Sequence, residues 1–275
     1  MARAVAHGAT SVTRFEDPTA LALLSDDARA RVERVHAGVA PASLRERIGR
    51  ALLLRRSHMM IARTVAIDDA VRGVAAPQLV ILGAGLDGRA WRMAELQDVV
   101  VFEVDHPDSQ RDKCARVAPL TQAARDVRFV PVDFTRDSLD DALAAAGHDP
   151  TRPTIWIWEG VVMYLTPADV EATLAVVARR SAAGSRLIVA YLGPALIVRV
   201  IGPLLRRIGE PLRSIYTAEA MRALLTKYGF GAIRDDDLPT IGAELSADVA
   251  RSTRVMKHAR IAIADHGGGA SMRPS

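Results

Sequence analysis

Between residues 78 and 192 short all-apolar runs alternate with helical stretches, and this alternation leaves few folds open. The runs are QLVIL (78–82), VVVFEV (99–104), VRFVPV (127–132), TIWIW (154–158) and SRLIVAYL (185–192). Consecutive apolar residues over such short lengths are expected of strands buried on both faces, the condition of a parallel sheet covered by helices. Helical patterns fill the intervals, starting near Pro107 and spanning about 138–146 and 167–182. Strand, helix, strand in repetition implies right-handed crossovers and a doubly wound α/β fold. After a helix over 217–228, which Gly229 can end, FGAIRDD (230–236) and RIAIADH (260–266) are candidate last strands.

The flanks differ in character. Residues 1–40 read as an irregular start followed by helical segments, and 43–74 as one long amphipathic helix with apolar residues recurring every three and four positions. The expected division is a helical cap over 1–76 and a Rossmann-like binding domain over 77–275. Within the latter, about 193–215 carries Gly193, Pro194, Gly202, Pro203, Gly209 and Pro211 around an apolar centre. A connection of that length reads as a lid insertion. The tail 267–275 reads as disordered. No run approaches the ~18 apolar residues that span a bilayer, and the first residues lack the apolar centre of a secretory signal. A cytoplasmic protein without membrane attachment is expected.

Composition removes several other classes. Cys114 is the only cysteine, so neither an intrachain disulfide nor a cysteine-based metal site is expected, and no metal is assigned. The net charge is +4, but the arginines are scattered and aromatics make up only 4%. That pattern does not suit nucleic acid, for which a basic patch interleaved with aromatics is the usual footprint. It suits an anionic small molecule better. A homodimer stays open.

The first strand of the alternation runs into LVILGAGLDGRAW, which places Gly83, Ala84, Gly85 and Gly88 at its end as G-x-G-x-x-G. Glycines there allow a sharp turn and a close approach of backbone to ligand at the carboxyl end of the strand. Asp105 directly follows the second run, 22 residues after Gly83, where an acid can hold a ribose hydroxyl pair. Both a nicotinamide dinucleotide and S-adenosylmethionine present an adenosine ribose to such a crevice. Three features favour the methyl donor. About 77 residues precede the glycine strand, whereas a simple dehydrogenase opens on it. None of the four tyrosines has a lysine four positions on. Asp133 and Phe134 follow the third run, where a carboxylate can accept from an adenine amino group while a ring packs beside it.

With these residues assembled, the chain resembles the leucine carboxyl methyltransferase family, above all bacterial members that O-methylate polyketides and other small metabolites. The segments that carry the likeness are IARTVAIDDAV, LVILGAGLDGRAWRM, VFEVDHPDSQRDK, FVPVDF, IWIWEGVVMYLTPADV and GEPLRSIYTAEAMRALLTKYGF, in order across roughly 60–235. The resemblance implies a Rossmann-like sheet of seven strands, mostly parallel with the last antiparallel, helices on both faces, and S-adenosyl-L-methionine as cofactor. It implies that Arg63 holds the donor's methionine carboxylate, Asp105 the ribose, Asp133 with Phe134 the adenine side, and Glu159 the methionine portion. Without it Arg63 reads as a solvated helix residue and Glu159 as a strand-end charge. One departure concerns Gly88, where the family usually has Thr or Ser; a more flexible loop is expected from it.

Methyl transfer from a sulfonium is an in-line displacement, so the protein mainly aligns the acceptor and excludes water. The expected function is O-methylation of a carboxyl or hydroxyl group on a small acidic, polyketide-like metabolite; an NAD(P)-dependent oxidoreductase is the alternative. A carboxylate needs no general base, whereas a phenol or alcohol would benefit from one. Tyr164, in EGVVMYL, is the candidate for orienting substrate. His106 reads as part of an acid-His-Pro turn, and Arg199, Arg206, Arg207 and Arg213 of the lid segment as possible partners of an anionic acceptor.

Overall fold

In the computed structural model residues 1–134, 136–195 and 212–267 are described. The tail from 268 and most of the expected lid lie outside them, including Arg199, Arg206 and Arg207.

Three helices come first: α1 (Ala2–Ala6), α2 (Asp26–His36) and α3 (Leu44–Arg72). Then follow β1 (Gln78–Leu82), α4 (Arg89–Arg92), β2 (Val100–Asp105), α5 (Pro107–Val117), β3 (Asp126–Pro131), α6 (Leu139–Ala145), β4 (Thr154–Glu159), α7 (Pro167–Arg179) and β5 (Arg186–Leu192). The chain continues with α8 (Ala218–Lys227), β6 (Phe230–Asp237), α9 (Leu238–Ala243), α10 (Ala247–Thr253) and β7 (Ala259–His266). The start of each long helix is written locally. Ser43 accepts from the Glu46 N–H at α3, and at α7 Thr166 and Asp169 cap each other reciprocally ahead of Pro167.

The seven strands form one sheet in the order β3-β2-β1-β4-β5-β7-β6. All pairs are parallel except those of β7, which runs antiparallel between β5 and β6. The dinucleotide-binding order 3-2-1-4-5-6 is thus extended by an inserted antiparallel strand, as the resemblance implies. Alternate strand residues feed two cores. Leu79, Ile81, Val101, Ile155, Ile157 and Ile188 face α3, α9 and α10. Val80, Leu82, Phe102, Trp156, Trp158 and Val189 face α6, α7 and α8. Helices α9 and α10 fall where the sequence reading has only a stretch between two strands. They are six and seven residues long, too short to display a helical period, and their signal is confined to the caps Asp237 and Ser246.

A histidine in the second core makes the fold acid-sensitive. His148 is buried between the Phe102 and Trp156 rings, at 5.4 and 5.3 Å, with Nε2 3.1 Å from Thr154 Oγ1. Burial, reinforced by Arg180, pushes its imidazole down to about 4. The unfolded chain binds that proton near pH 6.5, so between pH 6.5 and 4 the unfolded state holds more protons and stability rises with pH. His148 therefore contributes fully above pH 6.5, and roughly 2–3 kcal/mol is expected to be lost by pH 4.5. Urea unfolding at pH 7 and 4.5 should show the loss in the wild type and a clearly smaller one in His148→Gln; equal losses would refute it.

Candidate active site

The topology fixes where a ligand can lie. From β1 the chain winds outward to β3, then crosses back to β4 on the other side of β1, so the loops after β1 and β4 diverge from a common crevice. Leu82 pairs with Trp158, which brings the glycine loop level with Glu159. Leu82 likewise pairs with Val104 and Asp105 with Pro131, so Asp105 and the 133–134 turn follow along the same edge.

The glycine loop is hooked over the end of β2. Gly83 and Ala84 both donate to the Val104 carbonyl, at 2.8 and 3.0 Å, and the Gly85 N–H donates to Asp105 Oδ2. Asp105 Oδ1 accepts from the His106 N–H at 2.7 Å. The two left-handed glycines serve different ends. A Cβ on Gly83 (φ +68°) would lie 2.3 Å from Val161 Cγ2, so this glycine lets the loops after β1 and β4 touch. A Cβ on Gly85 (φ +47°) would meet nothing nearer than the Gly83 carbonyl at 4.0 Å, so this one borders open space. Ala84 is packed in the core and offers only backbone.

Gly88 corrects the expectation of a more flexible loop. A Cβ there would sit 2.0 Å from Thr19 Oγ1 and 3.2 Å from Thr19 Cβ. Thr19 is buried and donates to Asp17 Oδ1 at 2.8 Å. A residue from the amino-terminal segment fills the volume that a side chain at position 88 would take, so the loop is tightly packed there.

Arg63 and Glu159, candidates from separate segments, meet directly. Arg63 Nε lies 2.7 Å from Glu159 Oε1, while Glu159 Oε2 accepts from Arg89 Nη1 at 2.9 Å. Burial alone would raise the Glu159 carboxyl, but Arg63 and Arg89 outweigh it and hold the group below the usual carboxylate range. The Arg63 side chain stays 25% exposed and its terminal nitrogens take no other partner among the described residues. A carboxylate could be gripped there by the free side of the guanidinium fork.

Asp133 N–H donates to Asp137 Oδ2 at 2.8 Å, and Phe134 is half-buried against the second core. Tyr164 lies in a 3-10 turn, Val162–Tyr164, and is 38% exposed. The residues from 213 lie against this turn: Arg213 N–H donates to the Met163 carbonyl at 2.8 Å, and Ser214 Oγ to the Leu165 carbonyl at 2.6 Å. After β5, Gly193 N–H donates to the His258 carbonyl at 2.6 Å. Both roots of the 193–215 segment thus stand on the carboxyl edge of the sheet.

Other candidates have plain structural roles. His106 Nδ1 accepts from the Asp108 N–H, capping α5. His58 contacts Ser252 Oγ at 2.6 Å and ties α3 to α10. Burial, with Glu103 nearby, pushes the Cys114 thiol up, away from reactivity. Among the described residues no group of three metal-type ligands occurs.

Sequence reasoning missed the charges beneath the loop. Arg89 is wholly buried, with Nε 2.7 Å from Asp68 Oδ1 and Nη1 against Asp87. Arg92 Nη1 lies 2.7 Å from Asp68 Oδ2. Lys113 Nζ lies 2.6 Å from Glu103 Oε2, both buried. Burial raises Glu103 to about 7 against the pull of Lys113. The available signal was charge on helix faces that otherwise read as apolar.

Comparison with known proteins identifies the family and the fold. The family model described as leucine carboxyl methyltransferase matches residues 1–178. The match reaches the chain start, and so includes the amino-terminal region, but stops before β5. A Frankia alni protein named "Putative S-adenosyl-L-methionine-dependent methyltransferase" is 38% identical over 177 residues, covering 63% of this chain and 59% of its own. One from Streptomyces coelicolor with a like name is 39% identical over 131 residues, 46% of each chain. The chain thus spans about half the length of the curated relatives it matches. Among solved structures, a protein of the DUF574 family from Streptomyces avermitilis superposes with a TM-score of 0.57 at 16% identity, covering 77% of this chain and 82% of that one. An S-adenosylmethionine-dependent methyltransferase from Archaeoglobus fulgidus gives 0.52 at 12% identity, covering 76% and 94%. These two likenesses concern the fold.

Proposed function

As the chain belongs to the leucine carboxyl methyltransferase family, we propose that it is an S-adenosyl-L-methionine-dependent O-methyltransferase acting on a carboxyl or hydroxyl group of a small acidic metabolite. The observation that carries this reading is the juxtaposition of Gly85 and Asp105 with the Arg63–Glu159 pair across the switch point of the sheet. The residues fit the donor. Gly85 leaves room where an adenosine would pass, Asp105 offers a carboxylate to a ribose diol, and the Arg63 fork retains nitrogens for an amino-acid carboxylate. Asp133 and Phe134 take the adenine side. The bound donor supplies an activated methyl group on a sulfonium.

What remains for the chain's own residues is orientation and the exclusion of water. Tyr164 borders the β4 turn and orients the acceptor oxygen. The amino-terminal 76 residues act as a cap, and the described flanks of 193–215, at Gly193 and at Arg213–Ser214, stand on the carboxyl edge of the sheet. Arg213, exposed and anchored by its backbone N–H beside the Tyr164 turn, and the net charge of +4 favour an anionic acceptor. A carboxylate acceptor is ionised at neutral pH and calls for no base. The calorimetric test pits S-adenosylhomocysteine against NADH. Saturable one-to-one binding of the first and none of the second is expected; binding of NADH alone would overturn the proposal in favour of an oxidoreductase.

A further inference from the structure

The charges beneath the glycine loop form one connected body. Arg3 Nε lies 3.0 Å from Asp17 Oδ2, Arg92 reaches both Asp17 and Asp68, Arg89 holds Asp68, Asp87 and Glu159, and Glu159 ends on Arg63. Four arginines face four carboxylates, so the formal charges cancel. The set starts in the amino-terminal segment, where Arg3 Nη2 also bonds the Leu86 carbonyl of the glycine loop, and finishes at the proposed donor carboxylate site.

Such a body is a costly way to gain stability alone, since buried ion pairs often do no better than apolar residues of similar volume. Its geometry offers another use. Each oxygen of Glu159 has its own arginine: Oε2 is held by Arg89 from the buried side and Oε1 by Arg63 Nε on the crevice side. Arg89 is in turn fixed at Nε by Asp68, which sits on α3 one and a half turns beyond Arg63. Glu159 can therefore neither rotate away nor take the whole Arg63 fork to itself.

We propose that Arg89 is a positioning residue of the donor site, fixing Glu159 so that Glu159 sets the orientation of Arg63 toward the donor's amino-acid end. Asp68 serves Arg89 in the same way. This inference rests on the donor-site reading above. It assigns Arg89 no contact with the donor, and it places the larger effect of a side-chain change at the amino-acid end, since the bond from the Arg89 backbone N–H to Asp87 of the glycine loop does not depend on the Arg89 side chain.

That asymmetry supplies the test. S-adenosylhomocysteine carries the amino-acid end, whereas 5′-methylthioadenosine keeps the adenosine and the sulfur and lacks that end. Arg89→Lys replaces a fork that spans Asp68 and Glu159 by a single point charge that cannot span both. We expect calorimetry on the full chain to show S-adenosylhomocysteine affinity reduced at least tenfold in Arg89→Lys, with methylthioadenosine affinity within threefold of wild type. Asp68→Asn, close in volume, should shift the ratio of the two affinities in the same direction and keeps the test available if Arg89→Lys fails to fold. Equal weakening of both ligands, or no change in either, would overturn the positioning role while leaving the donor site standing. Failure of the wild type to bind either ligand would instead remove the reading on which it rests.

Discussion

Asp105→Ala is expected to weaken S-adenosylhomocysteine binding by about a hundredfold. Its carboxylate stands at the end of β2, half-buried, with one oxygen accepting from Gly85 N–H and the other from His106 N–H. In the proposed site the same group also accepts from the ribose diol. Hydrogen bonds to a charged group contribute about 1.5–3 kcal/mol each, so losing both ribose contacts removes about 3 kcal/mol or more, equivalent to two decades in affinity. Two variants separate this from loosening of the loop. Asp105→Asn keeps an oxygen for Gly85 and should retain the loop's position while still losing most of the affinity. Wild-type-like calorimetry in Asp105→Ala would sink the ribose assignment. A fall in Asp105→Ala that Asp105→Asn fully restores would show that the loop, rather than the ribose contact, is what Asp105 serves.

Gly83→Ala is expected to cost roughly 2–5 kcal/mol of stability, from two separable causes. The residue is left-handed at φ +68°, which costs a side-chain-bearing residue about 1–2 kcal/mol. Its new methyl would also stand 2.3 Å from Val161 Cγ2, and Val161, being β-branched, has little rotamer freedom with which to yield. Overpacking of this kind costs about 1–3 kcal/mol. Adding Val161→Ala should therefore restore only the steric share and leave the backbone strain. Urea midpoints of the single and double variants read the two shares directly. Full rescue by Val161→Ala would show that the conformation carries no strain, and no rescue would show that the two loops do not touch as described. Donor affinity should fall in both variants, because the loops after β1 and β4 form the two walls of the crevice.

The parts of this protein legible in its sequence are those with short-range causes. Buried strands announce themselves by consecutive apolar residues, and all five runs from 78 to 192 appear as strands within a residue or two of their expected bounds. The glycine loop and the acid at the end of β2 follow from what a tight turn and a sheet edge require locally. Helices α9 and α10 were not legible, since each is too short for its period to stand out from the strands on either side.

Partnership was decided only by the tertiary structure. Arg89 and Glu159 lie 70 positions apart, and Arg3 and Leu86 lie 83. Nothing in the local pattern of either segment names the other. Crossing from β3 back past β1 to β4 lays Glu159 beside the glycine loop, and packing α3 across the sheet brings Asp68 and Arg63 under it. Burial then makes an unpaired charge expensive, so the pairs that close up there are dictated by proximity in space. The same cause reversed the meaning of Gly88. By itself the residue signals a looser loop; in the fold, Thr19 occupies the place of its missing side chain. Sequence periodicity determined the sheet and the edge at which a ligand is expected. Close packing between distant segments decided which charges hold that edge in shape.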